Sequence, residues 1–208
     1  MTIQDILEFT KQNNIPTIND EAWELLKNTL LNNQPKSILE IGTGSGYSAA
    51  KILECVRTYT YLDKISFTTI EIDPDRFELS MGNLKALGLY QNAEMILDDA
   101  AAILGQYVLE NRLFDLVFLD GAKGQYINYL PQILKILPIG GIMFCDNLSF
   151  HGLAKSGKDA YHKMRTIAVN LQKFQKAILK SPQLKCKIFE AGNDHVAICQ
   201  KNLKNGKI

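Results

Sequence analysis

Asp120, Asp146 and Asn147 are three oxygen-bearing side chains that each close an apolar run. The runs are Leu113 to Leu119 before Asp120 and Ile142 to Cys145 before Asp146. If both runs are buried strands of one parallel sheet, the three groups meet at the carboxyl rim of that sheet. Hard oxygen donors, with water completing the shell, suit Mg²⁺. His151, His162 and His195 have no metal-pair spacing, so the donor set does not point to zinc. A simpler reading also fits Asp146-Asn147, which could merely cap the loop after its strand.

A second stretch organises the chain: Leu39-Glu40-Ile41-Gly42-Thr43-Gly44-Ser45-Gly46-Tyr47-Ser48. The apolar Ser37-Ile38-Leu39 runs into it as a strand, and Ala49, Ala50, Ile52, Leu53 and Val56 leave it at helical spacing. Glycines let backbone approach a ligand where a Cβ would clash. The helix start that follows offers free N–H groups and a positive dipole end. A dinucleotide fold would show G-x-G-x-x-G; here the spacing is G-x-G-x-G. A plain tight turn remains the alternative.

Next comes Thr69-Ile70-Glu71-Ile72-Asp73-Pro74. A carboxylate closing the second strand can accept hydrogen bonds from both vicinal hydroxyls of a ribose. Asp73, just before Pro74, is better placed to cap a helix, which leaves Glu71 for the ribose.

The elements that must hold these residues alternate. Helices are expected over 3–12 and from Asn19 or Asp20 to about 31, broken between by Ile15-Pro16. Strands follow at about 36–41, 65–71, 93–97, 113–119 and 142–145, with helices over 74–87, 100–109 and 126–136. A loop over 148–158 leads to a long helix, about 159–180, with Met164, Ile167, Leu171, Phe174 and Ile178 facing inward. Strands over 184–190 and 195–200, joined by Gly192-Asn193-Asp194, read as a hairpin, with a fraying tail from Lys201. Alternating strands and helices imply right-handed crossovers and a mostly parallel sheet, with ligands at the strand carboxyl ends.

The chain has 208 residues, enough for one α/β domain. It has no run of about 18 apolar residues, and its N-terminus lacks a basic and then apolar leader. With Cys55, Cys145, Cys186 and Cys199 scattered and no C-x-x-C, the expectation is a cytoplasmic protein with reduced thiols and no membrane association. The net charge of +1 hides an asymmetry. Residues 1–150 carry 11 Lys+Arg against 19 Asp+Glu, and residues 151–208 carry 12 against 3. A basic segment of that size fits a polyanion such as nucleic acid, or a solvated lysine-rich face.

Taken together, the stretches Leu39–Ser48, Thr69–Pro74, Phe118–Tyr126 and Asp146-Asn147 resemble the catechol O-methyltransferase-like family of metal-dependent O-methyltransferases, which use S-adenosylmethionine (AdoMet). The similarity runs from Ile15–Ile18 to the closing hairpin. It implies a class I methyltransferase (Rossmann-like) fold over 1–208: a seven-stranded, mostly parallel sheet with helices on both faces, N-terminal helices over 1–32, a substrate loop at 148–158 and a C-terminal antiparallel hairpin. It implies Mg²⁺ on Asp120, Asp146 and Asn147, and Lys123 as base or orienting cation beside the substrate hydroxyl. AdoMet would contact Gly42, Ser48, Glu71, Asp99, Ala100 and Asp120, with Ile18 closing over it. Relatives are commonly dimers, which makes a homodimer the expectation, with helix 3–12 as a dimer element.

Within the family the chain is most similar to bacterial tRNA 5-hydroxyuridine methyltransferases, through Asp120–Tyr126 and Asp146–Leu153. That likeness implies methylation of 5-hydroxyuridine at the tRNA wobble position to 5-methoxyuridine. Gly121 stands where those proteins usually have Ala, and Thr43-Gly44-Ser45 where they often have Thr-Ala-Ile; neither change removes a functional side chain. The alternative acceptor is a small catechol or caffeoyl-type molecule. Plant caffeoyl-CoA relatives, however, carry a longer loop than 148–158 allows.

Overall fold

Apolar alternation on both faces builds the sheet. Its parallel strands are β1 (Ser37–Ile41), β2 (Ser66–Glu71), β3 (Glu94–Leu97), β4 (Leu116–Leu119) and β5 (Ile142–Cys145). Strands β6 (Leu184–Ala191) and β7 (Asp194–Lys201) form an antiparallel hairpin, and β7 pairs antiparallel with β5. The order is β3-β2-β1-β4-β5-β7-β6, the seven-stranded, mostly parallel sheet with a closing hairpin that the sequence predicts. The structure, a computed structural model, describes residues 1–149 and 162–202, with 162–164 by backbone alone. The expectations for 150–158, including Lys155 and Lys158, for the side chain of Met164 and for the tail past 202 lie outside the described residues.

Successive strand side chains point to opposite faces. Leu39, Ile41, Val117, Leu119, Met143 and Cys145 enter one apolar layer, against α5 (Ala100–Leu109), α6 (Tyr126–Ile136) and α7 (His162–Lys180). Ile38, Leu116, Phe118 and Phe144 enter the other, against α1 (Ile3–Gln12), α2 (Asp20–Asn33), α3 (Tyr47–Val56) and α4 (Pro74–Ala86). The strands are therefore apolar on both faces, as a covered parallel sheet requires. Polar residues start the helices. Thr2 forms a capping box with Asp5, Asn19 caps α2, Asp73 caps α4 ahead of Pro74, and Asp99 caps α5.

The fourth strand starts three residues later than its apolar run. Asp115 turns its carboxylate onto the N–H groups of Lys36 (2.9 Å) and Ser37 (3.0 Å), so Leu113–Asp115 braces the entry to β1 instead of joining the ladder. Lys201 belongs to β7 and does not fray. Its Nζ donates to Leu134 O and Leu137 O, both at 2.6 Å, at the C-terminal end of α6. The cysteine expectation holds for Cys55 and Cys145, which are buried and free, and is corrected for the other two. Cys186 and Cys199 face each other in the β6–β7 register and form a disulfide. Thirteen residues separate them in sequence, and only the hairpin register brings them opposite.

Phe118 is fully buried at the sheet centre, its ring edge-on to Phe144 with centroids 5.7 Å apart. Phe118→Ala should lower unfolding free energy by about 3–5 kcal/mol, the usual cost of emptying a large aromatic site, as read by urea denaturation.

Candidate active site

The carboxyl ends of the parallel strands open onto a cavity of about 640 Å³. One wall is the turn from β1 to α3, and the other is the segment from Asp120 to Lys123. Gly42 decides how close these walls come. Its φ is +99°, and a Cβ there would overlap the carbonyl of Asp120 and lie 2.8 Å from Gly121 Cα. Gly42 N–H donates to Ile70 O (2.9 Å), and Asp120 N–H to Ile41 O (3.0 Å). The strand hydrogen bonding thus continues one step past each strand, and only glycine fits.

Gly42, Ser48, Glu71, Asp99, Ala100 and Asp120 all line this cavity, as does Lys123. Ile18 is the exception. It is 3% exposed and packs in the α1–α4 apolar layer, while Pro16 and Thr17 reach the cavity wall. The alternation after Pro16 turns the larger apolar side chain inward, so the expected closure by Ile18 is not what the structure places there. Tyr47, Arg76, Gln125, Tyr129 and Ile167 also line the cavity and went unread in the sequence. For most of these the helical apolar pattern masked a second, cavity-facing role.

Glu71 is buried and held firmly. Its Oε2 accepts from Gly44 N–H (2.8 Å), and its Oε1 accepts from Ile72 N–H (2.9 Å) and Asp73 N–H (3.0 Å). The capping role went to Asp73, whose Oδ1 accepts from the N–H groups of Asp75 and Arg76. Asp99 likewise accepts from Ala101 N–H at 2.7 Å.

Lys123 stands on a single 3₁₀ turn, Lys123–Gln125, just before α6. Its Nζ lies 2.5 Å from Asp120 Oδ1. Asn170 of α7 donates to Gly124 O (2.9 Å) and fixes that turn. Neighbouring Asp146 is fully buried. Its Oδ1 accepts from Asn147 N–H (2.8 Å), whereas its Oδ2 has no hydrogen-bond partner among the described residues. Burial, and then the charge of Asp120, push its pKa up to about 7. Asn147 sits in the left-handed region at φ +55°, where Asn is tolerated. Among the described residues no cluster of three or more His, Cys, Asp and Glu could hold a metal ion. A divalent cation would instead have to use two carboxylates and the Asn147 amide. The unpartnered Asp146 Oδ2 beside a second carboxylate fits that donor set, because a cation would satisfy the one and neutralise the repulsion between them.

Beneath the glycine turn lies a chain of hydroxyls. Ser48 Oγ donates to Glu40 Oε1 and Thr69 Oγ1 to Glu40 Oε2, both at 2.6 Å, and Thr43 Oγ1 lies 2.6 Å from Thr69 Oγ1. Glu40 is fully buried, and that burial raises its pKa from 4.5 to about 8, against the lowering effect of the two hydroxyl donors.

The class defined by this fold and site is a sheet with a glycine-rich turn after β1, an acidic residue ending β2 and a cofactor-sized cavity along the strand ends. That is the class I methyltransferase arrangement. The sequence profile of the O-methyltransferase family matches residues 1–202, and the chain belongs to that family, whose methyl donor is AdoMet. It is 28% identical over 171 residues to a caffeoyl-CoA O-methyltransferase from Populus kitakamiensis, covering 80% of this chain and 70% of that one. A Staphylococcus aureus structure assigned as a caffeoyl-CoA O-methyltransferase superposes with a TM-score of 0.86 at 24% identity, covering 97% of this chain and 93% of the other. An O-methyltransferase from Bacillus cereus, solved with SAH, gives 0.81 at 20% identity, over 96% and 90%.

The raised pKa of Glu40 has a thermodynamic consequence. Its protonated form is favoured in the folded chain, so the stability it contributes is full below about pH 4.5 and is lost as pH rises through about 8. Glu40→Gln stays neutral throughout. Urea midpoints followed from acid to alkaline pH should fall less in this variant than in the parent; parallel curves would mean that Glu40 does not titrate there.

Proposed function

We propose that the protein transfers the AdoMet methyl group to the 5-hydroxyl of 5-hydroxyuridine in tRNA, giving 5-methoxyuridine at the wobble position, with Mg²⁺ held by Asp120, Asp146 and Asn147. The observation that carries the acceptor is charge. The basic part of the chain follows Asn147 directly, and its described cations Arg165, Lys173, Lys176 and Lys180 on α7, with Lys185 and Lys187 on β6, are exposed. Such a surface suits a phosphate backbone. A small catechol is the second reading, favoured by the similarity to a caffeoyl-CoA O-methyltransferase.

In this reading Glu71 receives the ribose hydroxyls of AdoMet, Asp99 and Ala100 border its adenine, and Gly42, Ser48 and Asp120 border the rest. When bound, the cation supplies Lewis acidity that favours loss of the acceptor hydroxyl proton. The O–H bond breaks with its proton passing to solvent water, and Lys123 Nζ, beside that oxygen, stabilises it as it becomes anionic. The oxygen then attacks the methyl carbon in line. A C–O bond forms, the C–S bond breaks, and its electron pair stays on sulfur as a neutral thioether. The cavity walls contribute proximity and alignment.

Glu71→Ala should weaken AdoMet binding by about 1.5–3 kcal/mol, the scale of charged hydrogen bonds, or roughly 10- to 150-fold by calorimetry. Unchanged affinity would leave Glu71 only the role of bracing Gly44. For the acceptor, nucleoside mass spectrometry of tRNA from a strain lacking the protein should show 5-methoxyuridine falling and 5-hydroxyuridine rising. The purified protein should restore the modification with Mg²⁺ and not in EDTA. Turnover of a small catechol with no change in the tRNA would favour the second reading, and full activity in EDTA would remove the metal.

A further inference from the structure

We propose that Asp194, at the tip of the β6–β7 hairpin, is a positioning residue for the Asp146-Asn147 end of β5. The inference rests on the metal reading above and goes beyond it to a residue in another element. Asp194 is 4% exposed and does not line the cavity, so whatever it does for the reaction it does through its neighbours.

Three contacts converge on one of its oxygens. Asp194 Oδ1 accepts from Ser149 N–H (2.7 Å), Ser149 Oγ–H (2.5 Å) and His195 N–H (2.7 Å). The residue between Asn147 and Ser149 is held as firmly. Leu148 N–H donates to His195 O (2.9 Å), and Leu148 O accepts from Gln175 Nε2 of α7 (2.8 Å). Two residues beyond Asp146-Asn147 are thus fastened by the hairpin on one side and α7 on the other.

The direction of Asp146 depends on that path. Its Oδ1 is tied to the N–H of Asn147, so the rotation of Asn147 sets where the carboxylate points. Asn147 itself is in the left-handed region, which Asn tolerates at some cost and which neighbours held in place make more secure. The carboxylate of Asp194 contributes to that hold from two residues away, by fastening Ser149 and His195. A buried acceptor taking three donors is a strong local constraint, and removing it leaves two backbone N–H groups without their partner. The groups that support metal ligands from behind shape affinity as the ligands do.

The full-length protein is titrated with Mn²⁺ as the probe cation, and with AdoMet separately, in parent and variants. Asp194→Ala should lower Mn²⁺ affinity about 10–100-fold, the range seen when a supporting partner is removed, and leave AdoMet affinity at the parental value. Asp194→Asn keeps an oxygen acceptor without the charge and should restore Mn²⁺ binding. Should Asp194→Ala fail to fold, Ser149→Ala removes a single donor and should shift Mn²⁺ affinity in the same direction. Parental Mn²⁺ affinity in these Ala variants overturns the inference, as does an equal loss for both ligands, or an Asn variant as poor as the Ala one. A parent protein that takes up no Mn²⁺ overturns the metal reading, and the inference with it.

Discussion

The ends of β1 and β4 approach too closely for a side chain at Gly42 and leave little room at Gly121. A Cβ on Gly42 would overlap the Asp120 carbonyl, and one on Gly121 would come within 3.1 Å of Ile41 O. This close backbone contact at the centre of the sheet sets the geometry of the rim. It lets the glycine turn swing outward into α3, holds Asp120 at the floor of the resulting cavity and starts the Lys123 turn on the opposite wall. Glu71 then reaches Gly44 from β2, tying the turn to the next strand at 2.8 Å. A bulkier residue at Gly42 would push the two walls apart and break that tie.

Four carboxylates at the β1, β2, β4 and β5 ends of this rim each meet a different fate. Glu71 is satisfied by three backbone N–H groups. Asp120 is paired with Lys123. Glu40 is met by two hydroxyls and favours its protonated form. Asp146 alone keeps a buried oxygen without a partner among the described residues. A buried polar oxygen without a partner is expensive, so a fold that retains one has left a place where an external positive charge would be stabilising. That contrast, more than the presence of acidic residues, points to Asp146 as the centre of any cation site.

Much of this was legible in the chain because its signals are local. The glycine spacing, the Asp73-Pro74 cap and the apolar strand runs each lie within a few residues, and the structure puts them where they were read. The parts that were not legible depend on long-range packing. Asp115 delays the start of strand four by bonding to Lys36 and Ser37, some 80 residues earlier in the chain. Ile18 follows the apolar layer and not the cavity. Cys186 and Cys199 meet only through hairpin register. Asp194 read as a turn residue, and nothing nearby announces that its carboxylate holds Ser149, which lies 45 residues before it.

The fold separates groups that the sheet holds in place from groups that it leaves free to vary. The groups around the cofactor cavity lie on strand ends and the turns after them, where the β1–β4 contact leaves little freedom. The exposed charges of the basic C-terminal part follow β5, on surfaces that the β1–β4 contact does not constrain. Helix α7 joins the two regions. It carries exposed Arg165, Lys173, Lys176 and Lys180 on its outer side. It also supplies Ile167 to the cavity wall, Asn170 to the Lys123 turn and Gln175 to the backbone beyond Asn147. Charge can therefore change on the outside of this helix while its inner side goes on holding the rim of the cavity and the turn that carries Lys123.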